Sequence, residues 1–283
     1  MQNRVVNHHM TDPMEIDDAR RRLLYKYVER QGAVTREAAR RNVLVRPKTA
    51  SKPARSGPEL EPSVPMSPSE FDRHVDALED GGYLSVDDGT LRVAAPVDDA
   101  AETVVLDDTE ATVRPARQED SAGIVDVVET VAGEERYVVA ARLAADLRRD
   151  DALLRFNEAE DRMFFVATVD EGEDEDEGDD RVVGWLHVGG SRAPEMGHTA
   201  TLTLGVLADH RGHGIGAALV DRGLAWAREQ GYRKVYQSLP ATNEGAIDFL
   251  ETNGWSVEST REGHYQLDGD LVDEVQLAIW VDG

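Results

Sequence analysis

Residues 202–231 read LTLGVLADHRGHGIGAALVDRGLAWAREQG, and the reading of this stretch decides the fold. Leu202–Val206 is apolar and Thr-containing and reads as a strand. Leu207-Ala208-Asp209-His210 leads into Arg211-Gly212-His213-Gly214-Ile215-Gly216, and from Ala217 the apolar residues recur at helical spacing. Three alternating glycines between a strand and a long helix permit positive φ and remove Cβ atoms, so backbone N–H groups can converge on an anion. The helix N-terminus adds its own partial positive charge. A pyrophosphate can be held there without a single lysine.

Two phosphate-binding patterns are available and one fails on its neighbours. Gly212-x-Gly214-x-x-Ala217 formally satisfies the dinucleotide fingerprint, but that unit needs an acid at the end of the next strand. The next strand, KVYQSLP (234–240), carries Gln237 and Ser238 there and no acid. A phosphate loop of the Gly-Lys-Ser/Thr type is also missing. Arg211-x-x-Gly214-x-Gly216, preceded by LTLGVLADH, resembles instead the acyl-CoA loop of the GNAT superfamily of N-acyltransferases. Downstream, LPATNEGAIDFLETNGW is similar to the family's Asn-x-x-Ala helix ending in Gly-aromatic, with Asn243, Ala246, Gly254 and Trp255 at the matching positions. TVRPARQEDSAGI (112–124) is similar to its first strand and helix. The resemblance covers about residues 110–283.

The resemblance implies an α/β (α+β) fold, a mixed sheet flanked by helices and splayed open beside its fourth strand. Acetyl-CoA, as co-substrate, would lie in the gap. Backbone N–H groups of Arg211, Gly212, His213, Gly214, Ile215, Gly216 and Ala217 would bind its pyrophosphate. Val206 and Leu207 would pair with the pantetheine arm and stabilise the oxyanion, and Asn243 would hold the arm from the other side. The implied activity is N-acetyl transfer to a primary amine by direct attack within a ternary complex. Its acceptor site would be built from a second helical stretch, Val138–Phe156, and a late hairpin, Arg261–Leu271.

General acid and base are where the sequence departs from the family. Leu250 stands where the family has a Tyr acid, leaving Tyr265 and Tyr236 as candidates. The strand HTATLTLGV contains no carboxylate, so His198 at its start and Glu195 just before it are the candidate bases. The catalytic expectation is therefore His198, Glu195 and Tyr265. His210 and His213 flank the glycine turn, but two histidines alone make no metal site, and none is expected.

The chain has 283 residues and a formal charge of -25. Residues 1–102 carry 15 Lys+Arg against 18 Asp+Glu, whereas residues 103–283 carry 16 against 38. Lysine occurs only at Lys26, Lys48, Lys52 and Lys234. An acidic, lysine-poor chain is expected of a cytoplasmic protein working in molar salt, where screening makes self-repulsion cheap. Cysteine is absent, which excludes disulfides, zinc-thiolate sites and a cysteine nucleophile. No apolar run approaches the ~20 residues of a membrane span. Nine carboxylates in Asp170–Asp180 read as a solvated hairpin loop, because they lack the alternating order of a calcium loop.

Four segments are expected: a tail (1–16), a small mainly helical domain (17–95) with a mobile Pro-rich loop (46–67), a linker (96–110), and the transferase domain (111–283). In the small domain, Asp17/Asp18 cap a helix burying Leu23, Leu24, Tyr27 and Val28. Thr35 caps a second helix and Ser67-Pro68 starts a third. YLSVDDGTLRV then makes a hairpin on Asp88-Gly89. This order resembles a winged helix-turn-helix domain. A DNA-binding regulator with a CoA-sensing second domain is thus the alternative function, although the third helix, SEFDRHVDALEDG, is acidic and suits base readout poorly. The partners expected are an acceptor amine, small molecule or protein, then DNA through the first domain, and a second copy of the chain in a homodimer; no membrane is expected.

Overall fold

The computed structural model describes residues 16–46, 63–95, 102–105, 110–134, 138–149, 152–157, 159–170, 180–191, 193 and 195–281. They fall into two compact units, one within Thr11–Pro96 and the other within Val97–Gly283.

The first unit contains α1 (Ala19–Gln31), β1 (Ala33–Thr35), α2 (Arg36–Asn42), β2 (Leu44–Val45), β3 (Val64–Pro65), α3 (Pro68–Asp80), β4 (Leu84–Asp87) and β5 (Thr90–Val93). Asp18 caps α1 by accepting from the N–H groups of Arg20 (2.8 Å) and Arg21 (3.1 Å). Thr35 Oγ1 accepts from Ala38 N–H at the start of α2. β1 pairs antiparallel with β5, which pairs with β4 across the Asp88-Gly89 turn. Leu24, Val28, Phe71, Val75, Leu78 and Leu91 fill the core. The buried stripe of α1 runs through Tyr25 rather than Leu23, which is 41% exposed, because Tyr25 packs edge-on against Tyr83. Most of the expected tail and Pro-rich loop lies outside the described residues; the loop's end, Val64–Pro65, pairs with Leu44–Val45.

The second unit is one large sheet with helices on it. Its strands are β6 (Glu102–Val105), β7 (Glu110–Pro115), β8 (Arg155–Phe156), β9 (Glu160–Asp170), β10 (Asp180–Ser191), β11 (Thr199–Val206), β12 (Lys234–Pro240), β13 (Ser256–Leu267) and β14 (Asp270–Trp280). They lie in the order β13-β14-β12-β11-β10-β9-β7-β6, with β8 on β9. All pairings are antiparallel except β11 with β12. The helices are α4 (Ser121–Ala132), α5 (Val138–Leu147), α6 (Ile215–Glu229) and α7 (Glu244–Thr252). Gly223 lets α6 settle onto the sheet, since a Cβ there would lie 2.5 Å from Leu186.

Two expectations are corrected here. The stretch expected as a linker contains β6, whose Thr103, Val104 and Val105 pair with β7 as β-branched residues do on an open edge. The helix expected through Phe156 ends at Leu147. The following backbone is taken by Arg162 on β9, whose guanidinium donates to the carbonyls of Ala152 and Leu153.

Candidate functional site

The parallel pairing of β11 with β12 is brief: Thr199 faces Lys234, Ala200 faces Val235 and Thr201 faces Tyr236. Beyond it β11 continues to Val206 and β12 to Pro240, and the strands diverge. β12 is drawn the other way by β14, which pairs with it along its whole length, while β11 stays with β10. The gap is a cavity of about 570 Å³, within the ~300–1,000 Å³ usual for ligand sites. Thr203–Val206 forms one wall, Gln237–Pro240 the other, and α5 covers it with Val138–Ala140.

The glycine turn closes one end. Gly212 has φ +83° and Gly214 φ +88°, the left-handed region that side chains resist. Gly214 is the N-cap of α6, and the first intrahelical donor is Ala218 N–H, on Gly214 O at 3.0 Å. The N–H groups of Ile215, Gly216 and Ala217 precede it, leaving the helix-terminal donors that bind anions. Arg211, Gly212, Gly214, Gly216 and Ala217 line the cavity, whereas His213 and Ile215 do not; Ile215 is buried in the core instead.

Arg211 contributes differently from its sequence expectation. Its Nε donates to Val206 O (2.8 Å), and its two terminal nitrogens donate to Glu134 at 2.9 and 2.8 Å. Its backbone N–H donates to Ala208 O. The residue ties the end of β11 to the chain just after α4, so its guanidinium braces the strand. Glu134 is 77 positions away, and no local pattern marks it.

Leu207 is likewise not a free donor. Its N–H is given to Val183 O at 2.9 Å, and its side chain lies outside the cavity lining. Val206 lines the gap. Asn243 is 3% exposed, lines the opposite side, and caps α7 through Oδ1, which accepts from Ala246 N–H at 3.4 Å. Leu250 also lines the cavity and is buried.

The three expected catalytic side chains are not brought together. Glu195 and His198 are exposed, before β11 begins, whereas the cavity wall starts at Thr203. At ~3.3 Å per residue, the start of β11 at Thr199 stands about 13 Å along the strand from Thr203. Tyr265 lies on β13, and its hydroxyl donates to Glu274 at 2.8 Å. Burial raises the Tyr265 phenol well above its ordinary range, and the Glu274 carboxylate adds to the effect. A phenol so held is a poor proton donor.

A second cavity, of about 430 Å³, lies further down β11 and is lined by Thr199, Ala200 and Thr201. His187 on β10 also lines it, opposite Thr203 on β11 and Phe164 on β9. His187, a lone histidine in an apolar strand, carries no local signal in the sequence.

Among the described residues, no group of three or more His, Asp or Glu side chains is placed to hold a metal ion. Among them, no helix is long and apolar enough to cross a membrane.

Residues 131–255 match the sequence profile of the Acetyltransferase (GNAT) family, somewhat under half of the chain. The unit that contains them is a GNAT-like mixed α/β domain. Solved structures similar to the chain include a GNAT-family acetyltransferase from Streptococcus pneumoniae (14% identity, 60% of this chain and 99% of that one, TM-score 0.49). A GCN5-related N-acetyltransferase from Kribbella flavida is 21% identical over 60% of this chain and 97% of its own (TM-score 0.47). The GNAT domain of S. lividans PAT is 23% identical over 64% and 96% (TM-score 0.45). At these identities no substrate or partner passes from them to this chain. No curated protein matches it.

Proposed function

We propose that the second unit is an acetyl-CoA-dependent N-acetyltransferase, acting on a primary amine by direct attack within a ternary complex. The observation that carries this reading is the gap between β11 and β12, closed at one end by a positive-φ glycine turn and a helix N-terminus. These residues suit acyl-CoA: an extended arm fits between diverging strands, and backbone donors suit a pyrophosphate. Bound acetyl-CoA supplies a thioester carbonyl, where the amine nitrogen forms the new C–N bond, the C–S bond breaks, the thiolate leaves with its electron pair, and the surplus amine proton passes to water or to that thiolate.

The protein's part is placement and electrostatics. N–H groups of Gly212–Ala217 hold the pyrophosphate, the Val206 backbone orients the arm and receives the developing oxyanion, and Asn243 borders the arm opposite. Arg211 keeps the carbonyl of Val206 turned away from the ligand. With Leu250 at the position facing the sulfur, the thiolate departs without a protein acid.

For the first unit we propose a winged-helix arrangement, supported by the order α1-β1-α2-α3-β4-β5 and the three-stranded sheet. DNA reading is not favoured, because α3 carries Asp72 and Asp76 on its exposed side and Arg36 of α2 is paired with them at 3.1 and 3.7 Å. The acidic, lysine-poor composition supports a cytoplasmic setting of high salt, so assays belong in multimolar KCl.

The test is thermal unfolding of the full chain in KCl with and without CoA. A ligand at about 100 times its Kd adds ~2.7 kcal/mol, a readily measured rise in Tm. An unchanged Tm at millimolar CoA and acetyl-CoA would overturn the reading.

A further inference from the structure

Resting on the acetyl-transfer reading, we propose that β6 is a strap on the glycine turn: docked on β7 it holds Val104 against Gly214, and undocking it weakens CoA binding. The strap comes from outside the stretch that carries the family pattern. β6 lies ahead of residues 131–255, which match the GNAT profile, and it is the first described element after the first unit.

The sheet register places Val104 at the turn. Val104 faces Ala111 of β7, and Ala111 faces Val169 of β9. Two residues along β7, Val113 faces Ala167, which in turn faces Gly184 of β10. Cross-strand partners, and residues i and i+2, point to one side of a sheet. That side is the one on which α6 packs, because a Cβ at Gly184 would lie 3.3 Å from Leu219 Cδ1. The Val104 row meets the glycine turn: a Cβ built on Gly214 would lie 3.9 Å from Val104 Cγ1 and within 4 Å of no other described atom beyond its chain neighbours. At Gly212 no atom lies within that distance. What rests against Gly214 on this side therefore comes from β6. Val105, one residue on, points to the opposite side and is 73% exposed.

The strap is weakly held and the turn is demanding. β6 has four residues and pairs with β7 alone, and Val104 is half-buried between exposed Thr103 and Val105. Few backbone bonds and one apolar contact belong to the low-stability end of a structure. Gly214, by contrast, holds φ +88° as the N-cap of α6, just ahead of the Ile215, Gly216 and Ala217 N–H groups proposed for the pyrophosphate. The direction of those donors depends on the shape of the cap. Bound pyrophosphate fixes that shape and, through Val104, favours the docked strand. The docked strand favours bound CoA by the same contact, and linkage makes the two factors equal. Loss of a half-buried valine contact corresponds to about 3- to 10-fold in affinity. Val104 is thus a positioning residue, acting on the ligand through Gly214.

The experiment uses the full chain in multimolar KCl with CoA as the probe. Hydrogen–deuterium exchange of residues 102–105 is followed with and without saturating CoA. Calorimetry gives Kd for CoA in the wild type, Val104→Ser, Val104→Ile and Val105→Ser. We expect exchange of the β6 amides to slow about 3- to 10-fold on binding CoA, and Kd to rise by the same factor in Val104→Ser. Val104→Ile and Val105→Ser should stay within about twofold of the wild type. A merely structural role would lower the Tm of Val104→Ser without moving its Kd. That result, or β6 exchange unchanged by CoA in a wild type that binds it, overturns the proposal and leaves the acetyl-transfer reading standing. The exchange measurement needs no variant, so it decides the matter even where Val104→Ser does not fold. A wild type whose Tm is unmoved by CoA overturns the underlying reading instead.

Discussion

Replacing Gly212 by Ala isolates the conformational demand of the glycine turn from its packing. The residue has φ +83°, yet a Cβ there would find no heavy atom within 4 Å. Steric crowding against neighbours is therefore nil, and what remains is the intrinsic cost of a left-handed alanine, ~1–2 kcal/mol. The cost must appear somewhere. If the turn keeps its shape, it appears as lost stability, at ~2–4 °C in Tm per kcal/mol for a domain of this size. If the turn relaxes towards negative φ, its N–H groups swing away, and affinity for CoA falls instead by up to about 5- to 30-fold. The two losses should sum to roughly the same 1–2 kcal/mol. Thermal unfolding without ligand and calorimetric titration with CoA measure them separately. Gly214→Ala, at φ +88°, should behave alike, and Gly214→Asn should recover part of the loss because Asn tolerates this region. A Gly212→Ala protein with unchanged Tm and unchanged Kd would refute the reasoning.

Three further outcomes follow from the site. Arg211→Lys and Glu134→Gln should each weaken CoA binding by a few-fold and lower stability by ~0.5–1.5 kcal/mol, since the pair is partly exposed and the bond to Val206 is one hydrogen bond. Their double mutant should show less than the sum, and full additivity by calorimetry would argue against the brace. Tyr265→Phe should keep kcat within about twofold while losing ~1 kcal/mol of stability through Glu274; a kcat loss of a hundredfold or more would make Tyr265 the proton donor after all. Because His187 is depressed to about 3 from its ordinary 6.5, the unfolded chain binds the extra proton between those values. Its contribution to stability is thus complete above pH 6.5 and lost as pH falls towards 3. Denaturant titrations should show a shallower acid loss in His187→Phe; buried His74, also depressed by burial, contributes in the same direction in both proteins.

The parts of the site that were legible are those whose chemistry is local. Gly212 and Gly214 announce their backbone by having no side chain, whereas the capping bond of Asn243 to Ala246 N–H belongs to the structure. The catalytic candidates depend on what is not local. His198 and Glu195 precede the right strand, but a strand advances ~3.3 Å per residue, so its start and its open end are far apart. The hydroxyl of Tyr265 marks it as a candidate donor, but its neighbour Glu274 decides what that hydroxyl can do. The missed helix end at Leu147 has the same origin, because the periodicity of 138–156 carries no trace of Arg162 taking the carbonyls beyond it.

By itself the sequence determined a strand, a glycine turn and a helix in succession, and with them a place for an anion. Those follow from φ/ψ preferences and side-chain period, which act within a few residues. Only the tertiary structure decided that β11 and β12 part after Thr201, since each strand is held by a different neighbour. It also decided that the Leu207 N–H is already taken and that the Arg211 guanidinium ties Val206 to Glu134. Long-range pairing sets which backbone groups are left over, and in this protein those leftover groups face the cavity for which acyl-CoA is proposed.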